Sequence, residues 1–181
     1  MKQRWALVLL GAWMMGSICM SLVATRNFYT VDRLLASPSN AAFAAMVQKL
    51  GQPAARELLR FLSSELNRLY FQMWNVAQVV LGVTAWWLVS RRSAAGAKAD
   101  GPASRIIVGM LAVVVLMLVY LTPAIVSLGR ELDFVPRDPA PPGMSRFWVL
   151  HAAYTSLEML KLAAGLAAAW LIARPDGSVR L

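Results

Sequence analysis

The sequence predicts an all-α membrane protein: a four-transmembrane-helix bundle with an amphipathic extracytoplasmic helical segment between the first two spans. Three observations lead there. Hydrophobic residues make up 59% of the 181-residue chain and charged residues only 15%, where an ordinary soluble domain carries about 25% charged. The apolar residues are gathered into four blocks rather than spread at amphipathic spacing, and each block approaches the roughly 20 residues that cross a hydrocarbon core about 30 Å thick. Basic side chains cluster in the short segments at one end of the implied bundle, as cytoplasmic segments do.

The first block, residues 5–25 (WALVLLGAWMMGSICMSLVAT), follows a basic MKQR. Its apolar run exceeds the roughly 7–15 residues of a signal h-region, and Leu22 breaks a small-x-small cleavage site ending at Ala24, so it reads as a retained span. A long connection, residues 26–70, carries outer amphipathic helices at about 39–70. In SPSNAAFAAMVQKLG, Ser39 or Asn40 caps a helix, Phe43, Met46, Val47 and Leu50 recur at helical spacing, and Gly51 stops it. Pro53 then opens a second helix at a position that costs no hydrogen bond. Leu58, Leu59, Leu62, Leu66 and Leu69 form one face of that helix, Arg56, Arg60, Ser64 and Asn67 the other. It is expected to run straight into the second span, residues 71–90. The third span, 106–128, contains Pro123, which predicts a kink or a gap in the backbone ladder. A proline-rich loop, GRELDFVPRDPAPPGMSR, is expected to be extended, and the fourth span covers 147–173. Runs this long cannot be barrel strands, so all four are helices. No internal repeat or separate soluble domain is visible.

The formal charge is +9, but its arrangement argues for a membrane rather than nucleic acid. Lys2, Arg4, Arg91, Arg92, Lys98, Arg105, Arg174 and Arg180 fall in the N-terminus, the second connection and the C-terminus, which a four-span chain places together. The expected location is a bacterial inner membrane with both termini cytoplasmic. Trp5, Trp86, Trp87, Trp148 and Trp170 sit near predicted helix ends, where indole rings favour the lipid boundary. Membrane lipids are therefore expected partners. Arg56 and Arg60 are the candidates for headgroup contact, against the plainer reading of a solvated face. With Cys19 alone, neither an intrachain disulfide nor a zinc site built on cysteines can form.

The fourth span, HAAYTSLEMLKLAAGLAAAWLIA from His151, holds the residues that do not suit lipid. On a wheel of about 100° per residue with His151 at zero, Tyr154 falls near −60°, Thr155 near +40°, Glu158 near −20° and Lys161 near −80°. Glu158 and Lys161 bracket the middle of the span. Ionisable groups there cost roughly 2.5–3.5 kcal/mol each and face the bundle interior. The two either pair as ions or rest as a neutral acid and amine. Asn75 and Gln78 share a face of the second span with Gly82 and Trp86, and Ser17 and Ser21 share one side of the first. A polar seam between the second and fourth spans follows, serving as interhelical glue, as a path for a small ligand, ion or proton, or as a cofactor site. His151 is the one residue that could ligate haem. A single histidine excludes bis-histidine ligation within one chain, and a hydrogen-bonded histidine is the plainer reading. Nucleotide, serine-hydrolase and dithiol motifs are missing.

Two segments carry a resemblance. LLGAWMMGSICMSLVATRNF looks like the glycine-containing first span of a bacterial four-helix membrane family of unknown function, related to the eukaryotic transmembrane protein 205. RFWVLHAAYTSLEMLKLAAGL resembles that family's last span, which opens on a leucine-histidine pair, here Leu150 and His151, followed by a small residue, Thr155 or Ser156. The resemblance implies a four-helix inner-membrane protein without an established activity, and it does not interpret the Glu158 and Lys161 pair. The expected function is a non-enzymatic binding or assembly component, as a homo-oligomer or in a larger membrane complex. Transport through Glu158, Lys161 and His151 is the alternative, and a haem or quinone redox protein the third.

Overall fold

The computed structural model describes residues 2–93 and 100–174. Among them every regular element is helical: α1 (Lys2–Ala36), α2 (Ala41–Leu50), α3 (Gln52–Ser93), α4 (Asp100–Leu116), a π-helical turn (Met117–Leu121), α5 (Thr122–Glu131) and α6 (Met144–Ala173). Four stretches are long and apolar enough to cross a membrane: Gln3–Ala36, Gln52–Arg92, Gly101–Glu131 and Met144–Ala173. Lys98 and Arg180, read above as part of the basic end, lie outside the described residues.

The helices close into a ring, α1 on α3, α3 on α4, α4 on α6 and α6 on α1. Gln3 Nε2 donates to the carbonyl of Ile172 at 2.6 Å, which puts the start of α1 beside the end of α6. The core of this end is apolar: Ala6, Leu10, Trp13, Val89, Ile107, Val114 and Ile172 pack together with almost no exposure. Close approach of the helices depends on Gly82, where a Cβ would fall 2.7 Å from the Trp13 ring and against Leu111. Outward-facing positions are apolar too; Trp5, Val80, Val119, Leu160 and Leu166 are all well exposed.

At the opposite end α1 and α3 continue well past the apolar blocks. With 35 and 42 residues they are about 52 and 63 Å long at 1.5 Å per residue, against about 30 Å of hydrocarbon. That α3 is continuous agrees with the expectation; that α1 continues to Ala36 rather than ending near Thr25 was not foreseen. The α1 extension is stable because α3 supplies its partners. Asn27 Nδ2 donates to Asn67 Oδ1 at 2.6 Å, and Asn67 Nδ2 to the Ala24 carbonyl at 3.0 Å. The short α2 folds onto this pair, joining Val31, Leu35, Val47 and Ala55 in a second apolar cluster flanked by Phe43 and Leu59. Its ends form as the sequence predicts: the Asn40 side chain accepts from the Phe43 N–H, and Gly51 stops the helix at φ 83°, a conformation that side chains resist.

Arg56 and Arg60 do not simply face outward. Asp32 of α1 lies 3.6 Å from Arg56 Nε and 3.5 Å from Arg60 Nη2, with all three side chains 40–50% exposed. Ion pairs this exposed contribute little. We expect Asp32→Asn to lower unfolding stability by at most about 1 kcal/mol, read from denaturation in mixed micelles; a larger loss would mean that the pairs hold the extension together.

The third long apolar stretch, Gly101–Glu131, carries the irregularity that Pro123 predicts. Proline has no N–H to donate, and its ring crowds the carbonyl one turn earlier. The chain accommodates this with the π-helical turn Met117–Leu121, after which α5 begins at Thr122. The proline-rich stretch after Glu131 is non-helical until Met144. It is fastened at its start: Arg68 of α3 donates to both oxygens of Asp133 at 2.9 and 3.1 Å and also bonds Glu65. Beside this clamp the Phe61 and Phe134 rings stack with centroids 5.0 Å apart.

Candidate functional site

The helical wheel places Glu158, Lys161 and Tyr154 on one side of α6, and in the folded chain that side is turned inward. Lys161 is 2% exposed and Glu158 7%. Their side chains form an i,i+3 ion pair, with Lys161 Nζ 2.7 Å from Glu158 Oε1. Lys161 also donates to Gln78 Oε1 across the bundle on α3. Gln78 Oε1 accepts a second hydrogen from the Trp13 indole of α1 at 2.9 Å.

From Gln78 the bonds run on in one direction. Gln78 Nε2 donates to Asn75 Oδ1 at 3.2 Å, and Asn75 Nδ2 donates to Thr122 Oγ1 at 2.9 Å. Tyr154 OH adds a longer bond to Asn75 Oδ1 at 3.4 Å, and its ring meets Phe71 edge-on. Asn75 and Gln78 are fully buried. The network thus joins α1, α3, α5 and α6, with Thr122 contributed from the residue that follows the π-helical turn. Because each amide is held at both its oxygen and its nitrogen, the orientation of both side chains is set by their neighbours. The arrangement can hold two opposite charges far from water with little net field. Among the described residues no group of three or more His, Cys, Asp or Glu side chains gathers to hold a metal.

Compared with known proteins, the chain matches no family model, no curated protein and no solved structure. The geometry therefore stands alone.

Two residues from the same expected face stand apart from this network. Thr155 is exposed, and its hydroxyl donates to the carbonyl of His151 at 3.0 Å. His151 lies nearer the start of α6, where its Nδ1 bonds the carbonyl of Phe147 at 3.2 Å and its ring packs 4.3 Å from Phe147 and 6.0 Å from Trp148. Trp13 and Thr122, by contrast, belong to the network without having been singled out for it. Either could have been suspected, since a buried indole N–H or hydroxyl seeks a partner.

One flank of the network is incomplete. Glu158 Oε2, the oxygen that Lys161 does not take, is buried without a hydrogen-bond partner. Glu158 also borders a groove of about 210 Å³ between α1 and α6, which Ser17, Ser21 and Thr25 line from the α1 side. Ser17 and Ser21, which share one side of α1, thus come together with α6. Ser17 Oγ accepts from the Trp74 indole at 3.3 Å.

Proposed function

We propose that this chain is an integral protein of a bacterial inner membrane, with both termini cytoplasmic, and that it acts by binding or assembly rather than by catalysis. The observation that carries the reading is the ion pair of Glu158 and Lys161, buried in a network shared by four elements and unfinished on one flank. A buried carboxylate oxygen left unpaired costs about 1–3 kcal/mol or more, and in Glu158 that oxygen borders a groove, which favours a site over glue alone. The incomplete flank is where a further molecule, or a second protein, completes the bonding.

Support for binding over transport comes from the apolar packing around Leu10, Ile107 and Ile172, which closes the bundle between the network and the chain termini. Orientation follows from the basic end: Arg4, Arg91, Arg92, Arg105 and Arg174 lie there, and Arg91 and Arg174 rest on the Trp87 and Trp170 rings, 5.1 and 3.3 Å from their centroids. Arginine over an exposed tryptophan suits a headgroup boundary. Arg56 and Arg60, each with a share of Asp32, retain enough exposure to meet lipid phosphates at the outer end. Membership in the four-helix family related to transmembrane protein 205 is part of the same proposal, on the strength of its first-span and last-span likenesses.

Two measurements test it. In a Cys19→Ser background, cysteines introduced at Lys98 and Pro141 are expected to label from opposite sides of the membrane; labelling from one side overturns the four-span reading. The full chain, extracted into lipid nanodiscs without detergent, is expected to retain a second component or copy that is lost in Glu158→Gln, while proteoliposomes show no proton or potassium flux. A lone chain together with a Glu158-dependent flux would favour transport instead.

A further inference from the structure

We infer that the groove between α1 and α6 is a binding site for an uncharged, membrane-soluble molecule bearing a hydroxyl group, which enters from the lipid and donates that hydrogen to Glu158. The inference rests on the membrane placement and binding role proposed above and adds the class of ligand.

The chemistry of the groove selects a donor. Ser21 commits its hydroxyl hydrogen to the Ser17 carbonyl at 3.0 Å, and Thr25 commits its own to the Ser21 carbonyl at 2.9 Å. Their oxygens therefore turn only lone pairs toward a ligand. Glu158 Oε2 is the third acceptor, and the only one of the three that is buried and unpartnered. A carboxylate or a phosphate would set its own charge and lone pairs against Glu158 Oε2 and be repelled. A hydroxyl supplies the missing hydrogen.

Charge and shape narrow the class. Lys161 sits 2.7 Å from the other oxygen of Glu158, so the pair carries no net charge, and an ammonium or metal cation would face a neighbouring ammonium. The remaining wall is apolar and open on the flank of the bundle, where Leu22 and Met159 are 59% and 58% exposed. A ligand with a hydrocarbon body can therefore leave that body among acyl chains while its hydroxyl reaches inward. The volume, about 210 Å³, accommodates one ring or one glyceride head. Two sources share this chemistry: a phenolic ring on an alkyl tail, and a glyceride with a free hydroxyl.

The test uses the full chain in phosphatidylcholine nanodiscs and radiolabelled 4-octylphenol, with its methyl ether, 4-octylanisole, as a probe of nearly the same shape lacking the hydrogen. We expect one saturable phenol site per chain and binding of the ether weaker by about tenfold or more, the range for a hydrogen bond to a charged acceptor. Ser21→Leu, at an exposed position whose hydroxyl serves only its own helix, fills the groove and is expected to abolish the saturable component; Thr25→Val serves as a second variant and weakens it. Displacement by 1,2-dioctanoylglycerol assigns the site to glyceride hydroxyls, and failure of that displacement assigns it to phenolic rings. Equal binding of phenol and ether, no saturable phenol binding, or phenol binding untouched by Ser21→Leu overturns the inference. If that happens while cysteine labelling still reports four spans and the nanodiscs still hold a companion, the proposed function stands and only the ligand class falls.

Discussion

Lys161→Met is expected to be among the most damaging single substitutions in the chain. It removes the ammonium that Glu158 and Gln78 share and leaves a buried carboxylate with no partner at either oxygen. Breaking a buried pair from one side costs about 3–5 kcal/mol, whereas replacing both members by neutral groups is often tolerated. The double variant Glu158→Gln with Lys161→Met is therefore expected to recover at least half of the loss. Reversible unfolding in mixed micelles measures both. A single-variant cost below about 1 kcal/mol, or a double variant no better than the single, would mean that the pair is not the central tie of the bundle.

Arg68→Met is expected to act at the other end with comparable force. Arg68 is only 11% exposed and Asp133 15%, so the bidentate pair is largely shielded from water, unlike Asp32 with Arg56 and Arg60. Losing it costs on the order of 3 kcal/mol and frees the segment after α5 from α3, taking the Phe61 and Phe134 contact with it. Hydrogen exchange at residues 132–135 is expected to rise sharply. Arg68→Lys is expected to recover only part of the stability, because an ammonium cannot match both carboxylate oxygens at once. Unchanged exchange in Arg68→Met would show that the loop is held by other means.

These two sites differ in how far they could be read from sequence. Glu158 and Lys161 are three residues apart in an apolar run, so depth and periodicity alone mark them. The wheel also explains its own excess. The buried side of α6 centres between Glu158 and Lys161, near −50°, and Tyr154 falls within it, while Thr155 lies about 90° away and is exposed. His151 is closer in angle but almost two turns nearer the start of the helix, where the aromatic rings of Phe147 and Trp148 surround it. Arg68 and Asp133, by contrast, are 65 residues apart, and no local pattern links an arginine on an amphipathic helix to an aspartate in a turn. Much the same holds for Trp13, which reads as one apolar residue among many until Gln78 is placed opposite it.

Boundaries followed the same rule. Asn40 and Gly51 mark the limits of α2 through their own chemistry. The end of α1 at Ala36 depends on Asn67 of α3 and on the cluster that Val31 and Leu35 form with Val47 and Ala55 of other helices. Pro123 foretold a disturbance in the third long apolar stretch, but its form, a π-helical turn placing Thr122 within reach of Asn75, is a property of the assembled bundle.

The unbroken course of α3 has a mechanical meaning. A helix of 42 residues, about 63 Å long, behaves as a stiff strut that reaches from beside α2, past Asn75 and Gln78, to Arg91 and Arg92 at its other end. Swinging such a strut by about 5° about one end moves the other by about 5 Å, roughly the rise of one helical turn. A push on α2 is thus carried along the strut to Gln78, which bonds Lys161, while the π-helical turn breaks the regular ladder of the stretch beside it.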